Sequence, residues 1–251
     1  MSSDAVNAAR AQRVVRLIDL TDLDDAHRPD GIDALVADAV QHRTAAVCVW
    51  PEFVAPVRAR LDATGAPAGL RVATVVNFPD ATSSTTDVLA ETRSSLDAGA
   101  DEIDMVLPYG ALIDGDEKAA LDTVIQVAQT VHERSCGVKV IIESGVLADA
   151  DLIRAATRLA ITGGADFVKT STGKTSVSAT LAAVDAVLDE IVAADRVVGL
   201  KPSGGIRTVD DAAAYLDLVD RRLGPAWATP ETFRFGASGL LADAVAMMNL
   251  S

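Results

Sequence analysis

What the chain lacks narrows its possible functions first. Its 251 residues include two cysteines, Cys48 and Cys136, and three histidines. Two thiols give no disulfide framework and neither stands at a zinc-binding spacing, so a reducing cytoplasm fits. His27, His42 and His132 fall at helix or loop positions rather than together at strand ends. A catalytic metal is therefore not expected, nor any other cofactor. No run approaches the roughly 20 apolar residues of a membrane span. The opening stretch MSSDAVNAARAQR also has no apolar core of the signal-peptide kind. Positive charge is scarce too, with 22 Lys and Arg against 36 Asp and Glu and a formal net charge of -14. Such a surface repels nucleic-acid backbones and anionic membranes, so an anionic substrate would need a local positive pocket.

Aromatic residues are few, at 4%, while hydrophobic residues reach 49%. Abundant Ala, Val and Leu with few rings suit helices packed closely on a sheet. Short apolar runs near residues 14–19, 46–50, 71–77, 102–107, 138–143, 166–170, 197–201 and 233–236 are predicted as strands. Helical periodicity falls between them, for example over 32–42, 84–97, 117–133, 150–162, 179–193 and 209–223. Eight βα units with no linker or composition shift predict an α/β fold, a single-domain (β/α)8 TIM barrel over residues 1–251, with 1–13 as an N-terminal helix or extension.

Such a barrel carries its site at the C-terminal strand ends, and these ends are unusually polar here. GADFVKTSTGK, residues 164–174, brings an apolar strand to Lys169 and then to hydroxyls and glycine. Alternation puts Lys169 on the face of Phe167 and Ala165, which makes it a candidate amine nucleophile. Lys201 ends the seventh run in the same way, and two converging ammonium groups disfavour each other's charge. Asp104, set among Ile103, Met105 and Val106, is a candidate proton shuttle, or else a salt bridge at the barrel base. Lys139 reads equally as a direct participant or as the ion partner of Asp104 or Glu143. Asp19, Thr21 and Thr170 end strands, and Cys48 lies near the barrel mouth, where it is either apolar filler or a thiol that meets aldehydes.

A phosphate subsite is predicted from three glycine-bearing loops, which hold Gly173 and Lys174, Gly204 and Gly205, and Gly236, Ser238 and Gly239. Loops after strands seven and eight commonly cradle phosphate in this fold, and a helix starting near Gly239 would aim its positive end there. Lys174 and Arg207 read either as phosphate contacts or as surface charge.

With these residues in place, the chain resembles the deoxyribose-phosphate aldolase family over nearly its whole length. The motifs are LIDLT at 17–21, CVWP at 48–51, NFP at 77–79, GADEIDMV at 99–106, KVIIES at 139–144, GADFVKTSTGK, GLKPSGGIRT at 199–208 and RFGAS at 234–238. The resemblance implies that Lys169 forms a Schiff base with acetaldehyde or the open-chain sugar. It also implies that Lys201 tunes that amine and that Asp104 relays protons with it. Gly173, Lys174, Gly204, Gly205, Gly236 and Ser238 would be phosphate-side positions, the partners would be a small sugar phosphate and aldehydes, and the assembly a homodimer. Other readings are a different Schiff-base aldolase, a sugar-phosphate isomerase or a non-catalytic phosphosugar binder. Two departures stand out: Gly239 replaces a frequent serine, and no tyrosine follows Tyr215 before Asn249-Leu250-Ser251. A water held by Asp104 and Lys201 is expected in place of the tail tyrosine that some relatives carry.

Overall fold

The structure is a computed structural model that describes residues 3–26, 29–66 and 69–249. From the N-terminus the chain runs α1 (Ser3–Val15), β1 (Ile18–Asp22), α2 (Pro29–His42), β2 (Ala46–Val49), α3 (Val54–Thr64), β3 (Arg71–Val76), α4 (Thr85–Asp97) and β4 (Glu102–Val106). It continues through α5 (Tyr109–Ile113), α6 (Glu117–His132), β5 (Gly137–Ile141), α7 (Ser144–Leu147), α8 (Ala150–Thr162) and β6 (Phe167–Lys169). The last elements are α9 (Leu181–Ala193), β7 (Gly199–Lys201), α10 (Val209–Leu223), β8 (Phe235–Ala237) and α11 (Leu240–Asn249).

The strands are all parallel and ordered β7-β6-β5-β4-β3-β2-β1-β8. Single bridges from Leu200 to Phe233 and from Ser203 to Gly236 join the two ends of that order and close the barrel. Closure leaves two environments for strand residues. Outward Val47, Ile103, Met105, Val140 and Val168 are fully buried beneath the helices. Burying each such side chain contributes about 1.5–3 kcal/mol. Inward positions hold the charged and small residues described below.

Local signals set the helix starts. Ser84 accepts from the backbone N–H of Asp87 at 3.2 Å, and Thr208 and Asp211 form a reciprocal capping box at the head of α10. At α8 the Asp149 carboxylate accepts from the N–H groups of Asp151 and Leu152. The first strand starts later than predicted: residues 14–17 are not strand. Val14 and Val15 end α1, with Ala11 and Val14 fully buried at helical spacing, and β1 begins at Ile18. Two apolar β-branched residues beside an apolar strand mimic its start, and packing of α1 against α11 decides otherwise. The seventh strand is also shorter than predicted, because Val197 is exposed and regular pairing begins at Gly199. His27, Leu250 and Ser251 lie outside the described residues.

Candidate active site

Strand register lines up the inward charges. Asp104 stands beside Lys139, Lys139 beside Phe167, Lys169 beside Lys201, and Asp19 beside Gly236. Lys139, Lys169 and Lys201 are 1%, 2% and 0% exposed, so water does not solvate their amines and each depends on protein partners. Lys169 Nζ donates to Asp104 Oδ2 at 2.8 Å, and Lys201 Nζ donates to the same oxygen at 2.7 Å. Lys201 also meets Asp19 Oδ2 at 2.5 Å. That contact answers the one oxygen of Asp19 left without a well-aligned hydrogen bond.

One layer lower, Lys139 Nζ donates to Glu102 Oε2 at 2.6 Å and Asp104 Oδ1 at 2.8 Å and lies 3.7 Å from Asp19. Its partners are thus Asp104 and Glu102, not Glu143. Arg234 spans the floor, donating to Asp19 Oδ1 at 2.6 Å and Glu102 Oε1 at 3.1 Å, with its guanidinium 5.6 Å from the Phe167 ring centroid.

The partner count separates the three amines. Burial disfavours charge on all of them, but Lys139 and Lys201 each meet more than one carboxylate, which raises both above an ordinary lysine. Lys169 has a single carboxylate, shared with Lys201. Burial and that neighbouring ammonium outweigh it and push Lys169 below the ordinary lysine range. Burial alone would raise the Asp104 carboxyl. Lys139, Lys169 and Lys201 overcome burial and hold it well below the carboxylate range. The barrel interior therefore offers a buried amine whose charge is disfavoured, next to a carboxylate whose charge is favoured.

Above this layer the phosphate-subsite positions come together. Gly173, Lys174, Gly204, Gly205, Arg207, Gly236, Ser238 and Gly239 line one cavity of about 580 Å³, which Thr21 also borders. Gly204 has φ 84°, and a Cβ there would lie 2.5 Å from Ser178 Oγ. A Cβ on Gly236 would meet Ser203 Oγ at 2.5 Å and Lys201 Cε at 3.1 Å, so its lack of a side chain leaves room for the lysine. Lys174 is held by Asp25 at 2.9 Å and lies 5.6 Å from the Trp50 ring centroid. Thr170 Oγ1 accepts from the Ser203 N–H at 3.0 Å, tying the loop after β6 to the loop after β7.

Cys48 is not at the open mouth. It is fully buried beside Leu23, Ala73 and Val75, and burial pushes its thiol up, which leaves little thiolate. Sequence reading missed Arg234 and Glu102. Glu102 shares the face of Asp104 by alternation, and Arg234 shares that of Gly236, so the signal was present.

The DeoC/LacD family aldolase profile matches residues 14–242. A deoxyribose-phosphate aldolase of Agrobacterium fabrum is 48% identical over 204 residues, covering 80% of this chain and 76% of its own. A Toxoplasma gondii structure matches with TM-score 0.88 at 23% identity over 98% of both chains. Tetrameric deoxyribose phosphate aldolase from Aeropyrum pernix matches with TM-score 0.79 at 22% identity over 100% of both chains. The two structural likenesses speak for the barrel alone, whereas the profile and the Agrobacterium fabrum relative speak for the family: the chain belongs to the DeoC/LacD family of aldolases.

Proposed function

We propose that this aldolase reversibly cleaves 2-deoxy-D-ribose 5-phosphate into D-glyceraldehyde 3-phosphate and acetaldehyde through a Schiff base on Lys169. The observation that carries the reading is the contrast in partners among the three buried amines: Lys169 meets one carboxylate oxygen, shared with Lys201, whereas Lys139 and Lys201 each meet more than one carboxylate. A neutral amine attacks the C1 aldehyde of the open-chain sugar, giving a carbinolamine that loses water to a protonated imine. That imine withdraws electrons from the bond between C2 and C3. As the C3 hydroxyl gives up its proton, the bond breaks, C3 becomes the aldehyde of glyceraldehyde 3-phosphate and C2 remains in an enamine. Protonation at C2 and hydrolysis release acetaldehyde and the free amine.

Asp104, which receives both Lys169 and Lys201 on one oxygen, and Lys201 are the groups placed to move these protons. Asp19, Lys139 and Thr170 support them, Thr21 lines the chamber and Cys48 packs as a buried thiol beneath it. The glycine loops supply backbone N–H groups to the 5-phosphate, with Ser238, Lys174 and Arg207 at the rim and the N-terminus of α11 behind Gly239. Lys174 exchanges Asp25 for the phosphate in this scheme. A homodimer in the cytoplasm is the setting we assign, and light scattering of the purified protein tests the assembly.

The test of the chemistry is borohydride reduction in the presence of acetaldehyde, followed by peptide mass mapping. A reduced two-carbon adduct on Lys169 is expected. An adduct on Lys201 or Lys139 would reassign the nucleophile, and no adduct at all would remove the covalent reading.

A further inference from the structure

The reacting groups Lys169, Asp104 and Lys201 form the upper end of a larger network of buried charges. Asp104 from β4, Lys201 from β7 and Cys48 from β2 face Lys169 on β6, while Lys139 from β5 and Asp19 from β1 reach it through Asp104 and Lys201. Cys48 adds no charge, since burial keeps its thiol protonated. Glu102 and Arg234 complete the assembly from below, and Arg234 is only 5% exposed. Apart from Lys169, the three carboxylates of Asp19, Glu102 and Asp104 face the three cations Lys139, Lys201 and Arg234.

We propose that Arg234 and Glu102 are positioning residues that set the proton content of Lys169 from the far end of this network, because the buried charges cancel only when the Lys169 amine is neutral. A low-dielectric interior penalises net charge, so a proton on Lys169 leaves the cluster with an uncompensated positive charge. The linkage is continuous. Arg234 meets Asp19 at 2.6 Å, Asp19 meets Lys201 at 2.5 Å, Lys201 meets Asp104 at 2.7 Å, and Asp104 meets Lys169 at 2.8 Å. Removing the charge of Arg234 leaves the cluster negative with a neutral Lys169, so the amine holds its proton to higher pH. Removing the charge of Glu102 does the reverse. For unit charges roughly 10 Å apart at an effective dielectric near 20, Coulomb's law gives a shift of about one pH unit, or about tenfold in free amine.

This inference builds on Lys169 as the nucleophile, but its test does not depend on aldol chemistry. The rate of reductive methylation of Lys169 by formaldehyde and dimethylamine borane, mapped by peptide mass from about pH 6 to about pH 10, reads the titration of the amine directly. Arg234→Met is expected to move the midpoint up by about one pH unit and Glu102→Gln to move it down by about as much. The double variant should return near the parent value, as should the charge-conserving Arg234→Lys. A merely structural role would slow labelling without moving the midpoint in opposite directions. If Arg234→Met does not fold, Glu102→Gln and the double variant still decide. Unmoved midpoints, or shifts of the same sign in both single variants, overturn the proposal. Opposite shifts together with no acetaldehyde adduct on Lys169 would sustain it while removing the proposed reaction.

Discussion

Glu143 is the residue whose replacement most sharply tests how the loop after β6 is held. Its carboxylate is fully buried, its backbone is left-handed at φ 51°, and among the described residues it forms no ion pair. It instead accepts from the Thr172 N–H at 3.1 Å, from the Thr172 hydroxyl and from the Thr175 hydroxyl at 3.3 Å. These bonds fix the chain on both sides of Gly173 and Lys174, which border the glycine-lined cavity proposed for the phosphate. Glu143→Gln keeps the shape and one oxygen for Thr172, and its amide can donate to the Thr175 hydroxyl that itself donates to the Val177 carbonyl, so what is lost is the charge behind the Thr172 bonds. The loss of one charge-assisted hydrogen bond is worth about 1.5–3 kcal/mol. Ordering of the loop is then drawn from the binding of the phosphate. KM for deoxyribose 5-phosphate should rise roughly 10- to 100-fold at 25 °C. Steady-state assays with deoxyribose 5-phosphate and with unphosphorylated 2-deoxyribose separate the effects, since the latter makes no demand on the loop. Acetaldehyde trapping on Lys169 should stay at the parent rate. An unchanged KM, or an equal loss for both sugars, would refute this role for Glu143.

Two further outcomes follow from the buried charges. In Lys201→Met the neighbouring ammonium no longer disfavours charge on Lys169, and Asp104 Oδ2 is left to Lys169 alone while Lys139 stays on Oδ1. The acid limb of the kcat/KM profile should therefore move upward by about two to three pH units, from like charges about 4 Å apart at an effective dielectric near 20. A loss that is uniform across pH would instead make Lys201 solely a proton carrier. Asp19 and Asp104 are both depressed in the folded state, Asp19 by Lys201, Arg234 and Lys139 against the opposing effect of burial. Their stabilisation is thus complete above the ordinary aspartate value of about 3.9 and is lost as pH falls through the lower folded-state values. Denaturant midpoints should fall from pH 5 to pH 3, and Asp19→Asn should flatten that fall. An equal slope in the variant would show that other groups carry it.

Much of the fold was legible because parallel strands buried on both faces read as apolar runs, and glycine or capping residues mark where they end. The inward lysines were legible for the same reason, since Lys169 and Lys201 interrupt those runs at corresponding depths. The start of β1 was not. Val14 and Val15 suit either a strand or a helix, and only the placement of α1 against α11 selects between them. Pairings were harder still. Glu143 is near Lys139 in sequence and Glu102 lies 37 residues before it, yet the register of β4 with β5 puts Lys139 against Asp104 with Glu102 below. The partner of Lys174, Asp25, lies on a loop 149 residues away, a contact no local pattern encodes.

The ion network joins Asp19 on the first strand to Arg234 just before the last. During synthesis the carboxylates of Asp19 and Glu102 emerge long before their guanidinium partner, and until then hydration by water is cheaper than burial without it. The interior is therefore wet in any incomplete chain and dries only when the final βα unit docks. The lowered Lys169 amine is thus a property of the finished molecule, since a partly made barrel leaves that amine in water.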